Sequence, residues 1–265
     1  PYPFPHEHFK VWFYGSLSAQ PLVATEYFQT MMHLNTFSQE VEALASVDDK
    51  PVRLFVSKPS YIQNRSHIDA LHRAYEGVCF HGLRVGFLTE QEIARSSIDE
   101  NCKLIIIPDA EFVSAEALLA LKKAKKSGVK LIRFGEIKST RDAHGLAHPP
   151  ELIAFLKDLP LVSYADARAL SNQFEKILKP ITSDLKVRVS HADGSNAFGV
   201  MHRQAVVNGE RVLLLINVSN KSVDVQLHSK ESRFIDGFDR LNSEPVKGAG
   251  IKLPFQGVRL IEISL

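Results

Sequence analysis

Three textures follow one another along the chain, and the middle one is the clearest. Val52 to Val56 (VRLFV) is a short apolar run between Pro51 and Pro59, the mark of a buried strand. Ser66 then offers an N-cap to a helical spacing of Ile68, Leu71, Ala74, Tyr75 and Val78, with Gly82 as a stop. Leu83 to Leu88 (LRVGFL) predicts a second strand, followed by a short helix over Glu90 to Arg95. Leu104 to Ile107 (LIII) has no polar alternation, as a central parallel strand covered on both faces requires. Ser114 caps the next helix, which turns Ala117, Leu118, Leu121 and Ala124 inward and meets Gly128 past its end. Val129 to Phe134 (VKLIRF) is the fourth strand. Two further units are predicted: helix 151–157 with strand 161–164, and helix 168–179 with strand 185–190. Strand and helix alternating at this spacing predict right-handed crossovers and a doubly wound, mostly parallel α/β sheet.

The last texture has a different period. Phe198 to Val207 leads into Asn208-Gly209, a strong hairpin signal, and Arg211 to Val218 returns. Val223, Val225 and Leu227 alternate strictly, and Phe234 to Phe238, Ile251 to Leu253 and Val258 to Ile263 complete six or seven strands. No helical period fits, so the expectation is an antiparallel β-sandwich. The opening texture is aromatic and helix-like. His8 to Ser18 and Tyr27 to Leu44 read as amphipathic helices, with Pro21 to Thr25 as one short strand between them. One strand between two helices builds no core, so this stretch reads as the closing turn of something larger. The predicted organisation is 1–50 closing or docking segment, 51–182 α/β domain and 183–265 sandwich.

Composition narrows the classes. A chain of 265 residues with 45% hydrophobic and 23% charged residues is an ordinary globular protein and suits two domains, which excludes disordered and fibrous classes. A formal charge of +2 predicts neither a nucleic-acid partner nor a membrane surface. Two cysteines exclude a disulfide framework. No apolar run is long enough for a membrane span and no signal core is legible, so the expected location is cytoplasmic. The chain opens at Pro1 without Met, and the expectation is that polypeptide precedes it.

The succession NTFSQEVEAL, PVRLFVS, LRVGFLTEQEI and CKLIIIPDAEFVSAEALLALKKAKKSGVKLIRFGE is similar to the C-terminal half of family 42-type beta-galactosidases and their relatives. The resemblance runs from about Phe9 to Glu136, and IIIPDAEFVSAEALLALKKAKKSG is its most telling piece. It implies a remnant of a (β/α)8 barrel, then an amidotransferase- or flavodoxin-like trimerisation domain, then a small β-sandwich. It further implies a carbohydrate substrate bound through a barrel this chain lacks, a homo-oligomer (a trimer), and no cofactor. The two catalytic Glu residues of the family fall in the absent part of the barrel.

The candidate residues fit that picture. Retaining glycoside hydrolysis needs two carboxylates about 5–5.5 Å apart. Only Glu7, Glu26, Glu40 and Glu42 stand in the barrel-like stretch. Glu40 and Glu42 cannot share a helical face, and Glu26, after the predicted strand, is the best placed. Amidotransferase chemistry needs a Cys on the elbow after the central strand, with a His to activate it. Pro108 to Phe112 holds no Cys, and Cys79 and Cys102 read as buried small hydrophobes. No Gly-rich loop follows VRLFV, which argues against a nucleotide. Lys58, Tyr61, Asp109 and Glu136 follow predicted strands and would rim a crevice at the carboxyl edge of the sheet.

Among eleven His residues, His6 with His8 and His67 with His72 lack metal-ligand spacing, while Asp142, His144 and His148 form a loose cluster without a tetrahedral set. Lys122, Lys123, Lys125 and Lys126 read as a solvated helix face. Trp12, Phe13 and Tyr14 read as a core or seam rather than a sugar platform. No catalytic, cofactor or metal residue is therefore assigned, and the chain alone is expected to be inactive. The leading expectation is a non-catalytic C-terminal part of a beta-galactosidase-like glycoside hydrolase. A free-standing carbohydrate-binding or assembly module and a degenerate amidotransferase-like enzyme are the alternatives.

Overall fold

A computed structural model describes residues 21–46, 50–95, 98–135 and 141–263. The predicted helix His8 to Ser18 lies outside them, as do Glu7, His6, Trp12, Phe13, Tyr14 and Glu136. The described chain opens with α1 (Pro21–Thr36) and α2 (Ser38–Ser46). It continues with β1 (Val52–Val56), α3 (Lys58–Gln63), α4 (Arg65–Cys79), β2 (Val85–Thr89), α5 (Glu90–Arg95) and β3 (Leu104–Pro108). Then come α6 (Ala115–Lys126), β4 (Lys130–Phe134), α7 (Pro150–Lys157), β5 (Leu161–Val162) and α8 (Ala167–Thr182).

The five strands form a parallel sheet in the order β2-β1-β3-β4-β5. Side chains alternate across a strand, so each strand feeds two cores. Leu54, Leu104, Ile106 and Phe134 face α4 and α8, meeting Leu71, Ala74, Val78, Leu170, Phe174 and Leu178. Phe55, Ile105, Ile107 and Leu131 face α5, α6 and α7, meeting Ile93, Leu118, Leu121, Leu152 and Leu156. Reversing direction after β2 moves the crossover to the other face, which is the doubly wound arrangement. Helices α4 and α8 approach closely because Gly77 has no side chain: a methyl there would sit 2.6 Å from the Phe174 ring.

Local signals were kept in part. Ser114 caps α6 as expected, its side chain accepting from Ala117 N–H, and Gly128 beyond the end has φ +95°. The cap of α4 is Asn64, not Ser66, because Ser57 caps a separate short helix, α3, where the sequence suggested a loop. Pro21 to Thr25 is the first part of α1 rather than a strand, and residues 21–46 contain no strand. Pro fits the first turn of a helix, where its missing N–H has no partner to lose.

The second half is all β: β6 (Val187–Ser190), β7 (Val200–Val207), β8 (Glu210–Asn217), β9 (Val223–Ser229), β10 (Gly237–Asp239), β11 (Glu244–Val246), β12 (Ile251–Leu253) and β13 (Val258–Ile263). They make two sheets, β11-β10-β13-β8-β7 and β12-β9-β6, around Val189, Leu213, Leu215, Val225, Leu227 and Ile261. The β7–β8 turn has Asn208 at φ 51° and Gly209 at φ 88°, as a two-residue hairpin of primed type needs. Strand β6 was expected as a sixth parallel strand; it pairs antiparallel with β9 instead. Eight strands replace the six or seven expected.

The two halves share a polar seam. His81, after α4, contacts Gly77 O (3.2 Å) and Ser171 Oγ (3.3 Å), and Asn196 Nδ2 donates to Ser171 Oγ (2.9 Å). His202 of β7 is buried against Gly82, which adopts φ +70° and leaves no room for a side chain. Helix α2 lies on the outer face of the larger β-sheet, where Leu44 packs with Ala205, Val212 and Leu260. Among the described residues no helix is long and apolar enough to cross a membrane.

Candidate functional site

In a doubly wound sheet the ligand position lies beyond the carboxyl ends of the strands, where strand order reverses. Here that point is between β1 and β3, and the protein's own groups fill it. Ser57 N–H donates to His67 Nε2 (3.1 Å), so the other ring nitrogen carries the proton and donates to Pro108 O (3.2 Å). Ser57 and Ser60 hydroxyls both donate to Phe112 O, the latter at 2.8 Å, and Phe112 N–H donates back to Ser60 Oγ at 2.8 Å. Burial holds His67 neutral, with its pKa lowered to about 4. This latch ties the exits of β1 and β3 together and leaves no phosphate cradle.

The rim residues expected from sequence are partly in place. Lys58 and Tyr61 lie exposed on α3, and Asp109 follows β3. Tyr164 Oη donates to Asp109 Oδ2 (3.4 Å), with Arg73 stacked on its ring (5.6 Å). Burial first, and the Asp109 charge second, push this phenol up to about 12. The thiols are not nucleophiles. Cys79 Sγ donates to Glu76 O (3.4 Å) and Cys102 Sγ to Leu104 O (3.8 Å). Burial raises both, Cys79 to about 12, the opposite of an activated thiolate.

The described carboxylates of the opening segment, Glu26, Glu40 and Glu42, do not form a catalytic pair. Glu26 and Glu42 are exposed on helices, so Glu26 does not follow a strand. Glu40 is buried and paired with Arg240 of the sandwich, whose guanidinium also lies over Phe37 (5.3 Å). Asp142 Oδ1 accepts from His144 N–H (2.9 Å) and Leu146 N–H (2.8 Å), a loop closure. Among the described residues no three His, Cys, Asp or Glu side chains gather as a metal site. His72 is exposed, away from the His67 latch. The lysine run covers an outer helix face, with Lys125 over the Phe155 ring (5.8 Å).

Of two further features, the first was not visible in the sequence and the second, an opening segment in want of a larger partner, was expected from it. Glu90, at the start of α5, is buried and its Oε2 accepts from Ser114 N–H (2.8 Å). It lines a cleft of about 520 Å³ on the carboxyl edge, beside Lys58, Ile62, Arg95 and Ser114. The second feature is α1, which buries no residue although it carries Leu22 (82% exposed), Phe28 (65%) and Met32 (67%). Its C-terminal end and α2 border an apolar groove of about 400 Å³ against the sandwich, lined by Leu34, Phe37, Val41, Leu214 and Leu260.

No family model matches this sequence, and no curated protein matches it. Solved structures do. An exo-carrageenase GH42 from Bacteroides ovatus matches 94% of this chain over 34% of its own, at 20% identity and TM-score 0.73. A beta-galactosidase from Bacillus circulans sp. alkalophilus matches 85% of this chain over 44% of its own, at 12% identity and TM-score 0.54. A cold-adapted beta-galactosidase from Rahnella sp. R3 matches 80% over 40%, at 10% identity and TM-score 0.58. The chain thus spans less than half the length of each structure it matches. At these identities the likeness is one of fold, and the fold is that of the C-terminal domains of GH42 structures.

Proposed function

We propose that this chain is the non-catalytic C-terminal part of a glycoside hydrolase resembling the GH42 beta-galactosidases, and that its work is to support a catalytic barrel and to build a homo-oligomer. The observation that carries the reading is α1. A helix whose apolar face is left open by the described residues belongs against a larger surface, because that face exposed to water is not offset. The exposed Leu22, Phe28 and Met32 need a partner surface, and the catalytic barrel of a GH42-like enzyme would supply one. The Glu40–Arg240 pair and the Leu44 contact fix α2 on the sandwich, so a barrel held by α1 would be anchored to the sandwich. The reaction of the whole protein would be hydrolysis of a β-linked galactoside or related sugar by two carboxylates outside this chain.

The test is turnover on a panel of nitrophenyl glycosides, for this chain and for the natural gene product, whose intact mass is measured alongside. The expected result is no turnover by this chain and clear turnover by a heavier natural product. Turnover by the chain alone would overturn the accessory role. A natural product of the same mass as this chain would overturn the idea of a covalently attached barrel.

A further inference from the structure

We propose that His81 and His202 make the joint between the α/β layer and the sandwich an acid-opened hinge: at low pH the two layers part while each keeps its own core. The inference goes beyond the accessory role and needs neither a barrel nor a ligand.

The buried cores of the α/β layer end at Leu178, that of the sandwich begins at Val187, and they share no residue. Between them lie His81, after α4, and His202 of β7, each only 5% exposed. His202 packs on Gly82, the residue after His81: a Cβ there would lie 2.5 Å from His202 Nε2. His81 Nε2 lies 3.2 Å from Gly77 O and so carries the proton. Ser171 Oγ of α8 stands 3.3 Å from the same nitrogen, and Asn196 Nδ2 of the sandwich donates to that hydroxyl (2.9 Å). His202 Nδ1 faces Val200 O at 3.5 Å. Each ring therefore has one nitrogen turned to an acceptor. A further proton would go to His81 Nδ1 or His202 Nε2, for which no acceptor stands among the described residues.

No carboxylate offsets a positive ring here. Glu76 on α4, Glu175 on α8, Asp184 before β6 and Asp193 in the turn before β7 weigh on neither ring. Arg168 of α8 lies over the Phe198 ring (5.3 Å), which puts another cation at the joint. Arg203 follows His202 but points to the other face of β7, where it lines the apolar groove beside α2. Protonation would thus bury a cation without a partner, and a charge on His81 opposes one on His202. Burial already lowers both rings to about 4, against 6.5 in water. The closed joint is fully stable above pH 6.5 and weakens as the pH falls toward 4, its closed-to-open ratio dropping about a hundredfold for each ring. The other ties across it are small beside either core: the Phe80–Phe198 ring pair (4.9 Å) and the exposed hydrogen bond from Arg84 to Ala45 O (3.0 Å). The joint is the part that yields first.

The experiment follows the folded chain by NMR from pH 7 to pH 4, with small-angle scattering alongside. Three side-chain contacts are read: Phe80–Phe198 across the joint, Phe134–Phe174 inside the α/β core and Leu213–Ile261 inside the sandwich. The expected result is loss of the first between pH 6.5 and 4, with a larger radius of gyration, while the other two persist. The double variant His81→Gln, His202→Gln should stay closed to pH 4. Where that variant does not fold, the ring signals of His81 and His202 in the unaltered chain decide: both should take up their protons as the Phe80–Phe198 contact disappears. A joint still closed at pH 4, loss of all three contacts together, opening unchanged in the double variant, or opening with both rings still neutral would each overturn the proposal. Glycosidase assays do not enter this test, so its failure leaves the accessory reading untouched, and the reverse.

Discussion

Helices α1 and α8 are both 16 residues long, and they are opposites. In α8 the apolar residues Leu170, Phe174 and Leu178 recur every four positions and are buried against α4 and the sheet. The remaining face is polar, which gives a single stripe directed at a single core. In α1 Val23, Tyr27, Phe28, Met31, Met32 and Leu34 share one half of the helix, opposite Glu26, Gln29, Thr30 and His33, and none is buried. The difference teaches that α8 is a finished element, whose partners lie in this chain, and that α1 is an unfinished one. A sequence can specify a helix by local spacing while leaving its partner unspecified.

Acid should break the finished side first and hardest. His67, His81 and His202 are buried neutral with pKa lowered to about 4. The folded values lie below the unfolded 6.5, so the unfolded chain takes up protons more readily. Stability is complete above pH 6.5 and falls as the pH drops from 6.5 toward about 4, by on the order of 2–3 kcal/mol for each ring. Urea unfolding across that window should show the loss. His81→Gln should make it shallower, and an unchanged slope would refute the role of that ring.

Truncation should sharpen the contrast. Phe174→Ala, in a fully buried site between Gly77 and Phe134, should cost about 3–5 kcal/mol in urea unfolding of this chain. Phe28→Ala on α1 should change it by less than about 0.5 kcal/mol, because the described residues leave that ring 65% exposed. A large cost at Phe28 would mean that α1 already has its partner here. The smallest effect belongs to the joint between the two regions. Glu40→Ala removes one partner of Arg240, whose guanidinium is partly solvated and keeps Glu262 at 3.8 Å, so the loss is reduced to about 1–2 kcal/mol. Faster amide exchange confined to α2 should accompany it.

Much of the α/β layer was legible because its signals are local. The LIII run of β3, the Ser114 cap and the stop at Gly128, like the Asn208-Gly209 turn in the sandwich, each rest on a few neighbouring residues. Short-range ambiguity accounts for the errors within elements. SKPSYIQ carries both Pro and a capping Ser, and it forms α3 rather than a loop. Pro21 to Thr25 contains β-branched residues at a helix start, where Pro is also at home, and the helix prevailed. The cleft was half legible: Lys58 was placed on the rim and Ser114 at a cap, but Glu90 was not singled out. Its carboxylate meets an N–H 24 positions later, a meeting that exists only because β2 and β3 flank β1.

By itself, then, the sequence determined most of the strands and helices from β1 onward and which of their faces are apolar, because period, caps and turns act over a few residues. Tertiary structure alone decided that β6 pairs with β9, that Ser57, His67 and Phe112 close the inner edge, and that Glu40 meets Arg240 two hundred residues away. Those outcomes depend on which buried polar groups find partners across the fold, and hydrogen-bond satisfaction is a property of the assembled chain rather than of any window of it.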